Sequence, residues 1–230
     1  MWRSLLLFGL LLAVLVPVAG VAQAQDIPAV YLYVNDLASP RALLDVEASE
    51  VSDYCYALDV ETTAEIAVLI VNTTLPLGID KFASATFDAN AIGKRGLDNG
   101  VLIIVSTDER AWRIEVGYGL TGILTNAVVG RIGRDIMEPY LRVDDVYHGV
   151  NNGTRAVGQL ILDKYVPPGG RRSTPDLIVI DWRAVAIGVG IFILVSALTK
   201  GRVLLWVGNI FTRGGFGGGR SGGGGARGKF

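Results

Sequence analysis

The sequence predicts an α/β domain with a small mixed sheet covered by helices, carried between an export signal and a membrane helix. Three observations support that reading. Two runs, "TAEIAVLIVN" (63–72) and "GVLIIVS" (100–106), are short, rich in β-branched residues and almost continuously apolar, as strands buried on both faces are. A turn-forming "TDER" joins the second run to "AWRIEVG" (111–117), which predicts a hairpin. Helical three–four spacing of apolar residues recurs on either side of these runs.

The chain opens with "MWRSLLLFGLLLAVLVPVAGVAQAQ". One early charge (Arg3), an apolar run over 5–16 and the small-residue site Ala22-Gln23-Ala24 make residues 1–24 a secretory signal peptide. An uncleaved anchor is the alternative, against which Pro17 and the short run argue. The domain is expected over 27–166. Its first helix is expected to begin at Ser39-Pro40, with serine as N-cap and proline in the first helical position. Leu43, Leu44, Glu47, Val51, Tyr54, Cys55 and Leu58 continue it at three–four spacing, with one polar exception. After the first strand, "GIDKFASATFDANAIG" gives a short helix from about Asp80. The hairpin comes next, and "LTNAVVGRIGRDIMEPYL" and "VYHGVNNGTRAVGQLILDKYV" then read as two helices. Val128, Val129, Ile132 and Ile136, then Tyr147, Val150, Thr154, Val157 and Ile161, form their inner faces.

"PPGGRRSTPD" begins a linker (167–181), followed by an uncharged apolar run over 184–198. As a helix that run spans roughly 22 Å, so Arg183, Lys200 and Arg202 must snorkel to extend it. We read 182–200 as a single transmembrane helix with Trp182 at the interface. The high hydrophobic content (50%) agrees with membrane segments. From Lys200 onward there are six basic residues and no acid, whereas the rest of the chain holds all 22 acidic ones. The positive-inside rule then puts the 201–230 tail in the cytoplasm and the domain outside. The tail, "RGGFGGGRSGGGGARGKF", is expected to be disordered. Its likeness to arginine–glycine RNA-binding segments is compositional, and anionic lipid is the preferred partner over nucleic acid.

Several chemistries are disfavoured by composition. Cys55 is the only cysteine and lies on an apolar helical face, so it is read as a buried thiol with no disulfide available. A single histidine, His148, argues against zinc hydrolases, histidine phosphatases and Ser-His-Asp triads. "GYGLTG" (117–122) is a weak match to a dinucleotide fingerprint, and no Walker loop occurs. Two glycosylation sequons begin at Asn72 and Asn152; the second falls inside a helix.

A more specific site follows from the hairpin. The end of strand 111–117 must lie beside the start of strand 100–106, so Glu115 and the Asp98-Asn99 loop share one edge of the sheet. Thr125-Asn126, a few residues on, closes over the same edge. Asp98, Asn99, Glu115 and Asn126 should therefore cluster among glycines. Carboxylate, amide and carbonyl oxygens form a ligand set for Ca2+ or Mg2+. The plainer alternative is that Asp98 accepts N–H groups of its own turn, Glu115 pairs with Arg113 or Lys94, and Asn126 helps to cap a helix.

Over roughly residues 31–165 the chain resembles the TPM domain family, through "YVNDLA", "AEIAVLIV", "IGKRGLDNGVLIIVS", "RIEVGYGLTGILT" and "VGRI". The order of signal peptide, domain, membrane helix and glycine-rich tail is similar to many prokaryotic members. The resemblance implies a three-layer α/β/α sandwich and an acidic pocket that binds divalent cations in some members. Plant relatives are described as acid phosphatases, and an animal relative modulates a receptor channel, so no single activity is implied. Carried onto this chain, the pocket falls on Asp98, Glu115 and Asn126 of "LTN", with Asp36 of "VND" as a further ligand. Two departures weaken it: Thr121 stands where relatives often have the acid of "GLEG", and Asn126 where they have the acid of "LPD" or "LTD". The expected function is a membrane-tethered, extracytoplasmic module that binds a cation weakly and acts through a protein partner in the membrane. The alternative is a metal-dependent phosphatase in which Asp98 and Glu115 hold the ion; no catalytic residue is assigned.

Overall fold

Both predicted buried strands form. A computed structural model describes residues 27–31, 33–170 and 219–230 of the chain, and in it β2 (Glu65–Val71) and β3 (Gly100–Ser106) are buried along their whole length. They pair in parallel, and a short strand, β1 (Val34–Asp36), adds in parallel to the outer side of β2. The hairpin partner β4 (Ala111–Gly117) runs antiparallel to β3 over the span expected from the sequence. Alternate residues of β2 and β3 enter two separate cores. Ile66, Val68, Ile70, Val101, Ile103 and Val105 join one, whereas Ala67, Leu69, Leu102 and Ile104 join the other. Apolar residues on both faces explain why these strands lack polar alternation.

Helices cover both faces. On one face lie α1 (Asp45–Thr62), the segment from α3 (Asn126–Arg131) onward, and α4 (Val146–Lys164). The other face is covered by α2 (Ile79–Ala89), which supplies Phe82, Ala83 and Phe87. The predicted helix over 124–141 is interrupted: α3 gives way to a π-helical stretch, Ile132–Met137, and then to one last α turn, Glu138–Leu141. The reason lies in two residues. Pro139 has no N–H to donate, and just before it the Glu138 N–H reaches back to the Gly133 carbonyl. Gly133 itself lies directly under the buried Trp112 ring, where a Cβ would overlap ring atoms.

Two expectations need correction. The first helix begins at Asp45, and Ser39-Pro40 belongs to the preceding loop. Stronger acceptors act there: Asp36 takes the N–H groups of Ala38 and Leu43, and Glu47 takes that of Leu44. As a result Leu44 is exposed, while Val51, Cys55 and Leu58 form the inner face.

The second correction concerns the tail. Its last residues are ordered as β5 (Ser221–Lys229), antiparallel to β4, so the five-stranded sheet has the order β1-β2-β3-β4-β5. Glycine-rich composition predicts disorder because there are few side chains to bury. A strand at an open sheet edge requires only backbone partners, which β4 supplies. No helix among the described residues is long and apolar enough to cross a membrane. The expected signal peptide (1–24), the expected 182–200 membrane helix and most of the expected linker lie outside the described residues.

Candidate functional site

The β4 edge gathers three of the five residues singled out from the sequence: Asp98, Glu115 and Asn126. Gly117 and Gly119 allow this: Cβ atoms there would overlap the carbonyl oxygens of Asp98 and Leu97, so the two loops pack backbone to backbone. The Gly119 N–H donates to the Asp98 carbonyl at 2.9 Å. Asp98 itself takes a left-handed conformation (φ 46°), which aspartate tolerates better than most residues. Gly117 and Gly119 of "GYGLTG" thus serve the approach of the Leu97-Asp98 loop, whereas Gly122 faces open space.

Glu115 is fully buried on the α2 side of β4. Arg113 reaches it with Nε at 2.9 Å and Nη2 at 2.5 Å, and also bonds Asp80 of α2 at 3.1 Å. The other Glu115 oxygen accepts the Ser221 hydroxyl at 2.5 Å. Asp98 Oδ1 accepts the Arg220 N–H at 3.1 Å, and Asn126 Oδ1 accepts the Gly225 N–H at 2.8 Å. Each of the three side chains therefore offers an oxygen to one extended segment, 219–230. Thr125, one residue before Asn126, is the N-cap of α3 and accepts the Val128 N–H.

Asp36 does not join them. It ends β1, at the opposite edge of the sheet, in register with Ile70 at the far end of β2. There its carboxylate holds the Ala38 and Leu43 N–H groups. Asn99 is adjacent in sequence but is a buried structural residue, bonded to Thr63, Tyr165 and the Lys94 N–H. Lys94 leaves Glu115 to Arg113 and bridges Asp59 and Glu65. Burial alone would lower its pKa, but those two carboxylates raise it above the ordinary lysine value. Cys55 is buried as expected, and desolvation pushes its thiol up to about 12.

Two acids escaped the sequence reading. Asp88 of α2 accepts the Ser221 N–H at 3.2 Å, and Asp80 pairs with Arg227. They lie two turns apart on a helix whose other face holds Phe82 and Phe87, and that spacing was the available signal. Asp88, Arg95, Asp98 and Arg220 line a cleft of about 530 Å³ beside the segment.

A divalent cation is tested against this arrangement. The donors are hard oxygens, which suits Ca2+ or Mg2+. Yet Glu115 is neutralised by Arg113, and Glu115 and Asn126 meet the segment at different points along it. Among the described residues no three Asp, Glu, His or Cys side chains converge as a metal would need. With the strand in place, these residues do not fit a tightly held dication.

The fold and this edge define a class: a small mixed-sheet α/β domain whose β4 edge carries acceptor side chains that meet the 219–230 segment. The chain belongs to the TPM domain family, whose model matches residues 34–160. Among solved structures it is similar to the N-terminal domain of a protein from P. gingivalis, with 25% identity and a TM-score of 0.50 over 62% of this chain and 88% of that one. It is also similar to an N-terminal domain from Corynebacterium glutamicum (14% identity, TM-score 0.46, 59% of this chain and 84% of that one). A third likeness is to the BA42 protein of Bizionia argentinensis (19% identity, TM-score 0.48, 54% and 83%). No curated protein matches the chain.

Proposed function

We propose that this protein is a membrane-tethered, extracytoplasmic TPM module that works by binding at the β4 edge. The observation carrying the reading is that Asp98, Glu115 and Asn126, brought together by the hairpin, all present oxygens to one ligand segment. Such a surface receives electrophiles: N–H groups, hydroxyl protons or a cation. A divalent cation is proposed as its small ligand, weakly held because Arg113 already neutralises Glu115 and because residues 121 and 126 are uncharged. It would have to compete with the strand for the same oxygens.

Tethering adds a constraint. A single crossing between domain and tail would put them on opposite sides of the membrane, where β4 and β5 of one molecule could not pair. The reading therefore replaces the cytoplasmic placement expected for the 201–230 tail: the domain and the 219–230 segment share the extracytoplasmic side, the apolar 182–200 run attaches the chain to the membrane without a single net crossing, and a protein partner lies in the membrane.

Thermal unfolding of the full chain against calcium and magnesium tests the cation. Ligand at about 100 times its Kd stabilises by roughly 2.7 kcal/mol, and competition with the strand should reduce that gain. Asp98→Asn should abolish it. No shift in the wild type at millimolar cation would sink the cation reading. Release of phosphate from a phosphomonoester, lost in Asp98→Asn, would establish the phosphatase alternative instead.

A further inference from the structure

We propose that the β4 edge is a peptide-binding site selective for an extended glycine-rich, basic strand, and that residues 219–230 are its resident, exchangeable ligand. The proposal does not depend on the cation reading, because it concerns the strand that fills the edge.

Selectivity is visible in steric terms. On the side facing α3, the segment presents Gly224, Ala226 and Gly228. A Cβ on Gly228 would crowd Glu138 Oε1 and Trp112 Nε1, both at 2.6 Å, and Ala226 packs against Gly130. Gly225 has φ +150°, and a side chain there would run into the Ile114 carbonyl. A Cβ at Gly219 would likewise overlap the Ile92 carbonyl. Small residues are therefore required at several positions, and the composition that predicted disorder is what allows entry. Gly222 and Gly223 fall at a register shift opposite Val116/Gly117, so the strand bulges there.

Polar contacts fix register and charge. The Ser221 hydroxyl meets Glu115, and the N–H groups of 220, 221 and 225 meet Asp98, Asp88 and Asn126. Arg227 reaches Asp80, although both side chains are partly exposed and the pair contributes little by itself. Phe230 closes the segment: its N–H donates to the Arg110 carbonyl, Arg110 Nε returns to the Phe230 carbonyl at 3.1 Å, and the guanidinium lies 4.9 Å from the ring centroid. This is β-augmentation, in which main-chain bonds give affinity and alternate positions give selectivity.

Exchange follows from the connection. The segment joins the domain through residues 171–218 of the same chain, so its binding is intramolecular and it acts as a tethered ligand. An untethered peptide of the same sequence should enter once the resident is disabled.

The test is fluorescence anisotropy of a labelled peptide of residues 219–230 against the full chain. Chains carrying Gly225→Val, or separately Arg227→Glu, have a weakened resident and an intact domain, checked by circular dichroism. The peptide should bind the Gly225→Val chain at least tenfold more tightly than the wild type, and Arg227→Glu should move in the same direction. A peptide itself carrying Gly225→Val should not bind. Equal binding to wild type and variant, binding to neither, or equal binding of the valine peptide would each overturn the proposal.

Discussion

Replacing Glu115 by glutamine separates the two roles its position allows. If its carboxylate only awaits a cation, removing the charge should leave the cation-free domain unchanged or slightly more stable. The structure predicts a loss. Glu115 has no exposed side-chain surface and accepts three bonds, from Arg113 Nε, Arg113 Nη2 and the Ser221 hydroxyl. Glutamine keeps one acceptor oxygen, loses the charge, and turns an NH2 group toward donors it cannot bond. Hydrogen bonds to charged groups are worth about 1.5–3 kcal/mol, and removing one partner of a buried pair costs about 3–5 kcal/mol. Arg113 retains Asp80 at 3.1 Å and is 14% exposed, which moderates the penalty to about 2–3 kcal/mol. For a domain of this size that lowers Tm by roughly 5–10 °C. The assay is thermal unfolding by circular dichroism in chelator, wild type against Glu115→Gln. A Tm that stays the same or rises would refute the view that the Arg113–Glu115 pair is part of the fold's own bonding.

Other expectations follow from the same geometry. Asp36→Ala should destabilise by about 1–2 kcal/mol through loss of the Ala38 and Leu43 N–H bonds, read as a urea midpoint shift, and should leave any calcium response unchanged. Gly133→Ala should cost about 1–3 kcal/mol or more, because its methyl meets the Trp112 ring. Glu109 should show in the acid limb of stability. Burial pushes its pKa up, but bonds from Ser106, Thr73 and Thr74 hold it below the ordinary value. Its contribution is therefore present above the unfolded carboxylate pKa, about 4.3, and is lost as pH falls through the lower folded value. Glu109→Gln should flatten stability against pH in that acid range.

The sheet and its hairpin were legible because their signal is local: continuous β-branched runs and a tight turn leave few alternatives. Strand pairing then placed Asp98 and Glu115 together without knowledge of any side-chain contact, since antiparallel register alone dictates that neighbourhood. Asn126 followed from its closeness in sequence. Asp36, which entered through the family resemblance, stands apart from them: nothing local to "VND" tells which sheet edge a short strand will take, and it took the other one. The start of α1 was missed because a Ser-Pro signal was outcompeted by side chains, Asp36 and Glu47, that reach their N–H groups through the fold. Asp80 and Asp88 acquire meaning only from the strand they face. That strand was the least legible element, because a glycine run carries no periodicity and its order is imposed by β4 and Trp112.

The occupancy of the β4 edge by residues 219–230 is the central claim, and a cross-link tests it most directly. A Cβ at position 224 would lie 3.4 Å from Thr121 Cγ2, so side chains at 121 and 224 are direct neighbours across the paired strands and two cysteines there can meet. In the full chain bearing Thr121→Cys and Gly224→Cys, mild oxidation should give an intramolecular disulfide, while buried Cys55 stays inert. Two thiols that remain open to alkylation after oxidation would contradict the paired strand.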